Sequence, residues 1–362
     1  MSILNNIVVL DLTRFQAGPH CTYLLGQLGA YIIKVEKPFM GDDHRLLPPM
    51  YGTESLTFPS HNLNKHSLCM KLRSEKAKEI LLSLLPHVDI VAQNFRPGTI
   101  EKMGLDWETV HRINPRIILA NQSGFGQTGP YRDRAAFDGV MQCESGMAAS
   151  LMNESGGTPY YVGGNPCDHM GATVFTMAVM AALLQREKTG EGQYVDVDMM
   201  SAGTNLFSTE LSTYNASDGI KHWKEMFPEG FFKTADKRYV CISCPDECWD
   251  SLVKATGSEK LAQPEYGTRE QRIENAKEIT AEIETWTEQK SAEELRTLLE
   301  PQGIGVGTVK GYDDLSNDPF LNSMDYYKQV ECPYVGDVPV ADLPITISGV
   351  DFVFHRAPKL GE

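Results

Sequence analysis

The first half of this chain alternates short apolar runs with amphipathic ones, and that rhythm narrows the folds open to it. Ile7-Val8-Val9-Leu10-Asp11-Leu12 is almost continuously apolar, as a strand is when helices cover both faces of its sheet. Tyr31-Ile32-Ile33-Lys34-Val35, Val88-Asp89-Ile90-Val91-Ala92 and Ile117-Ile118-Leu119-Ala120 are of the same type. Helical stretches lie between them. Pro19 suits a first helical position ahead of Leu24, Leu25 and Leu28. Ser74 reads as the N-cap of a helix carrying Ala77, Ile80, Leu81, Leu84 and Leu85. Tyr194 to Met199 alternates with period two, which suits a strand near a sheet edge. The alternation implies an α/β fold with a parallel, doubly wound, Rossmann-like sheet.

The texture divides the chain. Residues 1–200 read as a large domain, completed by 325–362 at the far end. Residues 201–228 have no clean period and read as a linker. Residues 229–324 read as a smaller α+β domain, with a strand at Arg238–Cys244, a Trp249-containing helix, and charged helices over Thr268–Gln289 and Ser291–Glu300. The apolar, turn-rich stretch Leu343–Pro358 is expected to dock back on the first domain.

A net charge of −15 over 362 residues argues against nucleic acid or an anionic membrane as the main partner. The opening Met1-Ser2-Ile3-Leu4-Asn5-Asn6 lacks the basic and apolar regions of a signal peptide. The apolar run after Asp168 comes nearest to a membrane span but is broken by Gly, Thr and then charges. Eight irregularly spaced cysteines do not make a disulfide framework. The expectation is a cytoplasmic protein with reduced thiols.

Several residues are candidates for chemistry, each with a plainer reading. Gly124-Phe125-Gly126-Gln127-Thr128-Gly129 matches a dinucleotide fingerprint. That reading needs a helix to open there, and Pro130 to Arg134 is not a convincing one; a glycine loop lining some other site fits better. Cys241, Cys244 and Cys248 lack a clear fourth metal ligand and read as structural thiols. His20 and His169 are acid/base candidates or packing residues. Asp168, one residue ahead of the apolar run, reads either as a helix cap, worth about 1 kcal/mol, or as a nucleophile. Gly163, Gly164 and Gly171 are expected to let an acyl group come close, and the helix start to stabilise developing negative charge.

Taken together, several segments resemble one family over nearly the whole chain. They are Val9-Leu10-Asp11-Leu12-Thr13-Arg14-Phe15-Gln16-Ala17-Gly18-Pro19, the run Leu28 to Pro38 with Gly41-Asp42-Asp43, Asn64-Lys65-His66-Ser67-Leu68, Asn94-Phe95-Arg96-Pro97-Gly98, Met103-Gly104-Leu105, Asn114 to Ile118, Lys188-Thr189-Gly190-Glu191-Gly192-Gln193 and Arg356 to Glu362. They resemble the class III CoA-transferases, which include formyl-CoA transferase and the carnitine CoA-transferases, with α-methylacyl-CoA racemase among their relatives.

The resemblance implies that Asp168 attacks an acyl-CoA thioester and that CoA passes to a carboxylic acid acceptor. It gives Gln16 a hydrogen bond to the intermediate. It lays CoA along Phe15, Gln16, Ala17, Lys37, Met70, Lys71, Leu72, Arg73, Asn94, Phe95, Arg96 and Lys102. Ala135, Ala136, Phe137 and Asp138 line the pantetheine end, and Lys37, Arg73 and Lys102 meet phosphate or adenine groups. It also implies an interlocked homodimer, with no metal and no permanently bound cofactor.

Three departures bear on function. The racemase branch carries a His before the aspartate of its Gly-His-Asp segment, whereas this chain reads Ala136-Phe137-Asp138, and phenylalanine moves no proton. The basic residue the family has in that segment falls on Ala135, with Arg134 adjacent. The glycine-run loop of formyl-CoA transferase has no clear counterpart; Phe227-Pro228-Glu229-Gly230-Phe231 occupies the neighbourhood. Phe39 to Ser60 and Phe227 to Phe232 are therefore expected to set the choice of acid. The alternatives to transfer are an isomerase of the racemase type and a silent CoA-binding relative.

Overall fold

A computed structural model describes residues 2–155, 157–217, 227–332 and 336–362, with only the backbone described at 153–155. The chain forms two compact units, residues 1–211 with 323–362, and residues 212–322.

The larger unit is built on a six-stranded parallel sheet. In chain order its strands are β1 (Val8–Asp11) and β2 (Tyr31–Glu36), then, after a short hairpin of β3 (Met50–Tyr51) and β4 (Glu54–Ser55), β5 (Lys65–Cys69), β6 (Ile90–Gln93), β7 (Ile118–Ser123) and β8 (Gln193–Asp198). They lie side by side as β5-β2-β1-β6-β7-β8, so β8 is an edge, as its alternation suggests. Side chains alternate across the sheet. Val9, Ile32, Ile90 and Ile118 pack on one face with Cys21 and Leu25 of the helix Ala17–Gln27, and with Ala172, Phe175 and Val179 of the helix Pro166–Thr189. Leu10, Val91 and Leu119 pack on the other face with Ala77 and Leu81 of the helix Glu75–Leu84. Both faces are covered, which is why these strands read as apolar throughout. Ser74 caps Glu75–Leu84 as expected, accepting from the Ala77 N–H. Pro19 lies at the third helical position rather than the first, because Gln16 is the N-cap.

Strand β5 has no apolar signature. It is held by ion pairs instead. Its Lys65 is buried and donates to Asp11 at 3.1 Å, to the Pro19 carbonyl at 2.9 Å and to the Asn62 amide oxygen at 3.0 Å. Lys34 of β2 pairs with Asp42 at 2.7 Å and donates to the Thr13 carbonyl at 3.0 Å. Burial, and after it the Lys34 charge, oppose charge on Lys65 and bring its proton affinity down to about 8. Three acceptors for three N–H bonds, one of them a carboxylate, keep it an ammonium at neutral pH. Lys65→Met leaves Asp11 buried without its partner, so it is expected to cost about 3–5 kcal/mol in urea unfolding. A loss under about 1 kcal/mol would contradict this account of β5.

The region 201–228, expected as a linker, carries two helices, over Met199–Asn205 and Ser208–Ala216; residues 218–226 lie outside the described residues. Asp198 caps the first of these helices through the Ser201 N–H, a signal that the missing period concealed. The smaller unit has the antiparallel sheet β9 (Glu229–Lys233), β10 (Tyr239–Ser243) and β11 (Gly305–Thr308) in the order β11-β10-β9. Helices Arg269–Glu274, Ala276–Thr287 and Ala292–Leu299 follow, with capping boxes at Thr268 and Ser291. Phe227 and Phe232 are core residues of this unit, which removes them as acid-reading side chains, whereas Phe231 is exposed. Cys248 lies in the tight turn Asp246–Cys248 ahead of the Trp249 helix, not inside it.

The returning strands β12 (Tyr327–Cys332) and β13 (Gly336–Ala341) form an antiparallel pair in the larger unit. The segment beyond them has no regular structure but is hydrogen-bonded to that unit. Val353 donates to the Gln27 carbonyl at 3.0 Å, and the Asn64 amide donates to the Val353 carbonyl at 2.7 Å.

Candidate active site

Because every strand of the large sheet runs the same way, the loops after β1, β2, β5, β6 and β7 share its carboxyl edge. The chain winds outward from β1 through β2 to β5 and, in the other direction, from β6 through β7 to β8. The reversal between β1 and β6 is the switch point at which such sheets bind ligands. Two loops meet there reciprocally. The Arg14 N–H donates to the Asn94 side chain at 2.7 Å, and the Asn94 amide donates back to the Arg14 carbonyl at 2.8 Å. Phe15 adopts φ 63° and donates its N–H to Asp42 at 3.0 Å. The backbone geometry of the Phe15-Gln16 loop thus rests on the buried Lys34–Asp42 pair.

The long helix starts beside this crevice. Its N-cap is Asn165, in the left-handed conformation at φ 53° and ψ 57°. The Asn165 amide donates to the Gln16 side-chain oxygen, and Tyr161 donates to the Asn165 oxygen at 3.3 Å. Gln16, from the other end of the sequence, is thereby fixed against the residue that opens the Asp168 helix. The Gln16 oxygen is used by this bond.

Asp168 is not the cap. It is the third residue of Pro166–Thr189, and Asp138 performs the capping instead. One Asp138 oxygen accepts the Cys167 N–H at 2.8 Å and the Asp168 N–H at 3.0 Å. The other accepts from Gln142 at 2.7 Å, and Gln142 is itself locked to the Val162 backbone by bonds of 2.8 and 3.0 Å. The His169 N–H bonds the Asn165 carbonyl at 3.1 Å. The first-turn N–H groups are therefore occupied and cannot serve as the oxyanion hole. Gly163 and Gly164 are both exposed, Gly164 at φ 83°, and a Cβ at either would meet nothing within 4 Å. Gly171 does not serve access: a Cβ there would lie 2.9 Å from Gln122 and 3.1 Å from Met199, so its smallness serves helix packing.

Two causes raise the proton affinity of the Asp168 carboxyl to about 7: burial first, then the Asp138 charge. Shifts of this kind cluster at functional sites. The carboxylate it yields is poorly solvated and more basic than an ordinary aspartate.

The other expected contacts are distributed unevenly. Ala17 is buried. Lys37 is paired to Asp43 at 2.5 Å, and Arg14 bonds the same carboxylate. Met70 is a core residue, whereas Lys71 and Arg73 are exposed and Leu72 half-buried. Phe95 donates its N–H to Gln93 at 2.7 Å, and Arg96 and Lys102 are exposed. Ala135 and Phe137 are exposed, Ala136 is half-buried against Gly124, and Asp138 faces the helix start rather than open solvent. Arg134 is paired with Glu144. No helix opens at Gly124–Gly129, so the dinucleotide reading fails; the segment is a loop after β7.

Sequence reasoning missed a cluster of histidines here. His20, His44, His61 and His169 come from four separate elements. The His20 and His61 Nδ1 atoms are 3.1 Å apart, and the His169 ring lies 4.5 Å from that of His20 and 5.3 Å from that of His61. The His44 ring is 5.3 Å from that of His61. No spacing in the sequence groups them; only the folding of these elements around Lys65 does.

Residues 4–362 match the description CoA-transferase family III. The chain is 32% identical to a succinyl-CoA–D-citramalate CoA-transferase of Chloroflexus aurantiacus, over 99% of this chain and 91% of that one. It is 32% identical to an acetyl-CoA:oxalate CoA-transferase of Acetobacter aceti, over 99% and 93%. Its fold resembles the crystal structure of a CaiB/BaiF family protein from Brucella suis, with TM-score 0.88, 29% identity and coverage of 99% and 97%. The chain belongs to CoA-transferase family III and is a transferase enzyme.

Proposed function

We propose that this enzyme moves CoA between carboxylic acids through a covalent acyl group on Asp168. The observation that carries this is the half-buried, charge-crowded Asp168 carboxyl on a helix whose N-cap, Asn165, is bonded to Gln16 from the loop at the sheet's switch point. A carboxylate oxygen of Asp168 attacks the thioester carbonyl, the C–S bond breaks, and CoA leaves as thiolate. The product is a mixed anhydride. The thiolate then attacks the Asp168 carbonyl and releases the donor acid as a carboxylate. The acceptor carboxylate repeats both steps in reverse, leaving with CoA and restoring Asp168. Water takes no part, so the thioester's reactivity is conserved from donor to acceptor.

Gly163 and Gly164 N–H groups and the Gln16 amide are the donors suited to the tetrahedral oxyanions, since the helix turn is occupied. Lys71, Arg73, Arg96 and Lys102, exposed along the same sheet edge, suit the phosphates of CoA. Phe137 is exposed and aprotic, which disfavours the isomerase reading. The silent-relative reading is disfavoured by the same raised Asp168 carboxyl. Eight free cysteines suit a reducing, cytoplasmic setting.

An interlocked homodimer is supported by the Asp168 helix. It leaves Met177 and Leu184 each 64% exposed on one side. By length and composition this helix alone among the described residues could cross a membrane, but its other face packs on the sheet, and its buried Arg186 pairs with Asp89 at 2.9 Å. An exposed apolar side on a sheet-packed helix is the pattern of an interface.

The test is acyl trapping. Incubation with acyl-CoA and no acceptor is expected to add the acyl mass to the Asp168 peptide, and hydroxylamine to convert that residue to a hydroxamate. Turnover with no label on Asp168 would exclude the mechanism.

A further inference from the structure

Two residues with side chains adopt the left-handed conformation at a single contact. Phe15 has φ 63° and Asn165 has φ 53°, and Gln16, which follows the first, accepts a hydrogen bond from the second. Residues other than glycine rarely adopt this conformation, and they keep it only where their surroundings hold them there. The Phe15 ring is 42% exposed, so packing of the ring does not fix the turn. Bonds to the backbone do. Each of the three residues ahead of Gln16 is held separately. The Thr13 carbonyl accepts from Lys34 at 3.0 Å, Arg14 is bonded both ways to Asn94, and the Phe15 N–H donates to Asp42 at 3.0 Å. Asp42 is therefore the partner of the left-handed residue itself.

Asp42 is buried and has little freedom to move. The oxygen that accepts from Phe15 also accepts the His44 N–H at 3.1 Å, the other oxygen pairs with Lys34 at 2.7 Å, and the Asp42 N–H donates to Glu36 at 2.8 Å. Glu36 is fixed in turn by Arg45, at 2.7 and 2.8 Å, and by the Ser67 hydroxyl at 2.6 Å. Burial opposes the Asp42 anion, but Lys34 and the bonded N–H groups outweigh it and bring the carboxyl down to about 2. The same construction recurs at the amino edge of the sheet. There Asp89, just ahead of β6, accepts the Val8 N–H at 2.9 Å and pairs with the buried Arg186 at 2.9 Å. Asp89 fastens the start of β1, whereas Asp42 fastens the loop that leaves its other end.

We propose that Asp42 is a positioning residue for CoA transfer: its carboxylate holds Phe15 in the left-handed turn that carries Gln16 to Asn165, at the start of the Asp168 helix. This rests on the transfer reading above and adds to it a buried residue that acts through the loop.

Asp42→Asn alone would set an N–H₂ group against either the Phe15 N–H or the Lys34 ammonium, so the test uses paired changes. Lys34→Met/Asp42→Asn keeps an oxygen for Phe15; Lys34→Met/Asp42→Leu keeps the volume and offers none. Neither buries an unpaired charge, and apolar replacement of a buried ion pair is commonly tolerated by a fold. In the Leu pair kcat is expected to fall at least about thirtyfold, with KM for acyl-CoA changed less than about threefold, and in the Asn pair kcat is expected to stay within about fivefold of wild type. Asp42→Glu keeps the ion pair but lengthens the side chain by one bond of about 1.5 Å. Its kcat is expected to fall at least about tenfold, and it decides the matter if the Leu pair does not fold. Asp89→Asn is the control for loosening alone: its melting temperature is expected to fall and its kcat to hold. Equal kcat in the two paired variants, a loss confined to KM, or the same loss of kcat in Asp89→Asn would overturn the proposal. Single-turnover acylation of Asp168 by acyl-CoA separates the two readings. If wild-type Asp168 is acylated and the Leu pair is acylated as fast, only the role of Asp42 is wrong; if wild-type Asp168 is not acylated, the transfer reading falls with it.

Discussion

Asp168→Asn is expected to lower kcat by about a thousandfold or more, as removal of a covalent nucleophile does, and at the same time to raise the melting temperature at pH 8. The two effects share a cause. In the unfolded chain this carboxyl loses its proton near the ordinary value of 3.8, but in the fold only near 7, because burial and the Asp138 charge oppose the anion. Between those values the folded state binds more protons, so stability falls as pH rises through the window, and the deficit is complete above 7. Asparagine carries no such deficit. Its stabilising effect is therefore largest above pH 7 and vanishes below about 4. Activity runs the opposite way in the wild type. The attacking species is the anion, so kcat/KM for the acyl-CoA donor should rise about tenfold per pH unit up to an inflection near 7 and then level. A flat profile from pH 5 to 8 would sink the assignment, and so would an Asn variant less stable than wild type at pH 8.

Much of the architecture was legible in the sequence because a parallel sheet covered on both faces writes continuous apolar strands. Val9, Ile32, Ile90 and Ile118 announced themselves in this way. Strand β5 did not, since Lys65 and Ser67 are stabilised by ionic and hydrogen-bonded partners on other strands. No local pattern encodes a partner 54 residues away, as Asp11 is from Lys65. At the site, Gln16 and Asp168 could be named from the family pattern, yet the cap-or-nucleophile choice posed for Asp168 was a false one. The cap is Asp138, which leaves the Asp168 carboxyl free for the role proposed for it. Asp138 sits at the start of its own short helix, where a sequence reader assigns it to that helix or to a ligand; its use across the chain at Cys167 and Asp168 is purely tertiary. The histidines were hidden for the same reason. Four rings on four elements have no spacing to read.

Asp138 therefore carries the second large effect, and its two roles can be separated. As an acceptor it satisfies two N–H groups of the turn that carries Asp168; as a charge it raises the proton affinity of Asp168. Asp138→Ala removes both. Two N–H groups lose their partner, at about 1–3 kcal/mol each where they remain buried, and the turn that aims Asp168 is no longer fixed. A displacement of about 1 Å is enough to cost a hundredfold in rate, and a loss of that order in kcat is expected. Asp138→Asn keeps the shape and one acceptor oxygen. If that oxygen faces the helix, its new N–H₂ group faces the Gln142 amide, which Val162 holds in place. One hydrogen bond is lost and the charge is gone. The inflection near 7 should then move toward acid, but only part of the way, because burial is the larger cause of the shift. The measurement is kcat/KM against pH for the two variants and wild type. A structural role alone would lower the plateau and leave the inflection where it is; an acidic displacement in Asp138→Asn, with most of the plateau retained, requires that the two carboxylates interact.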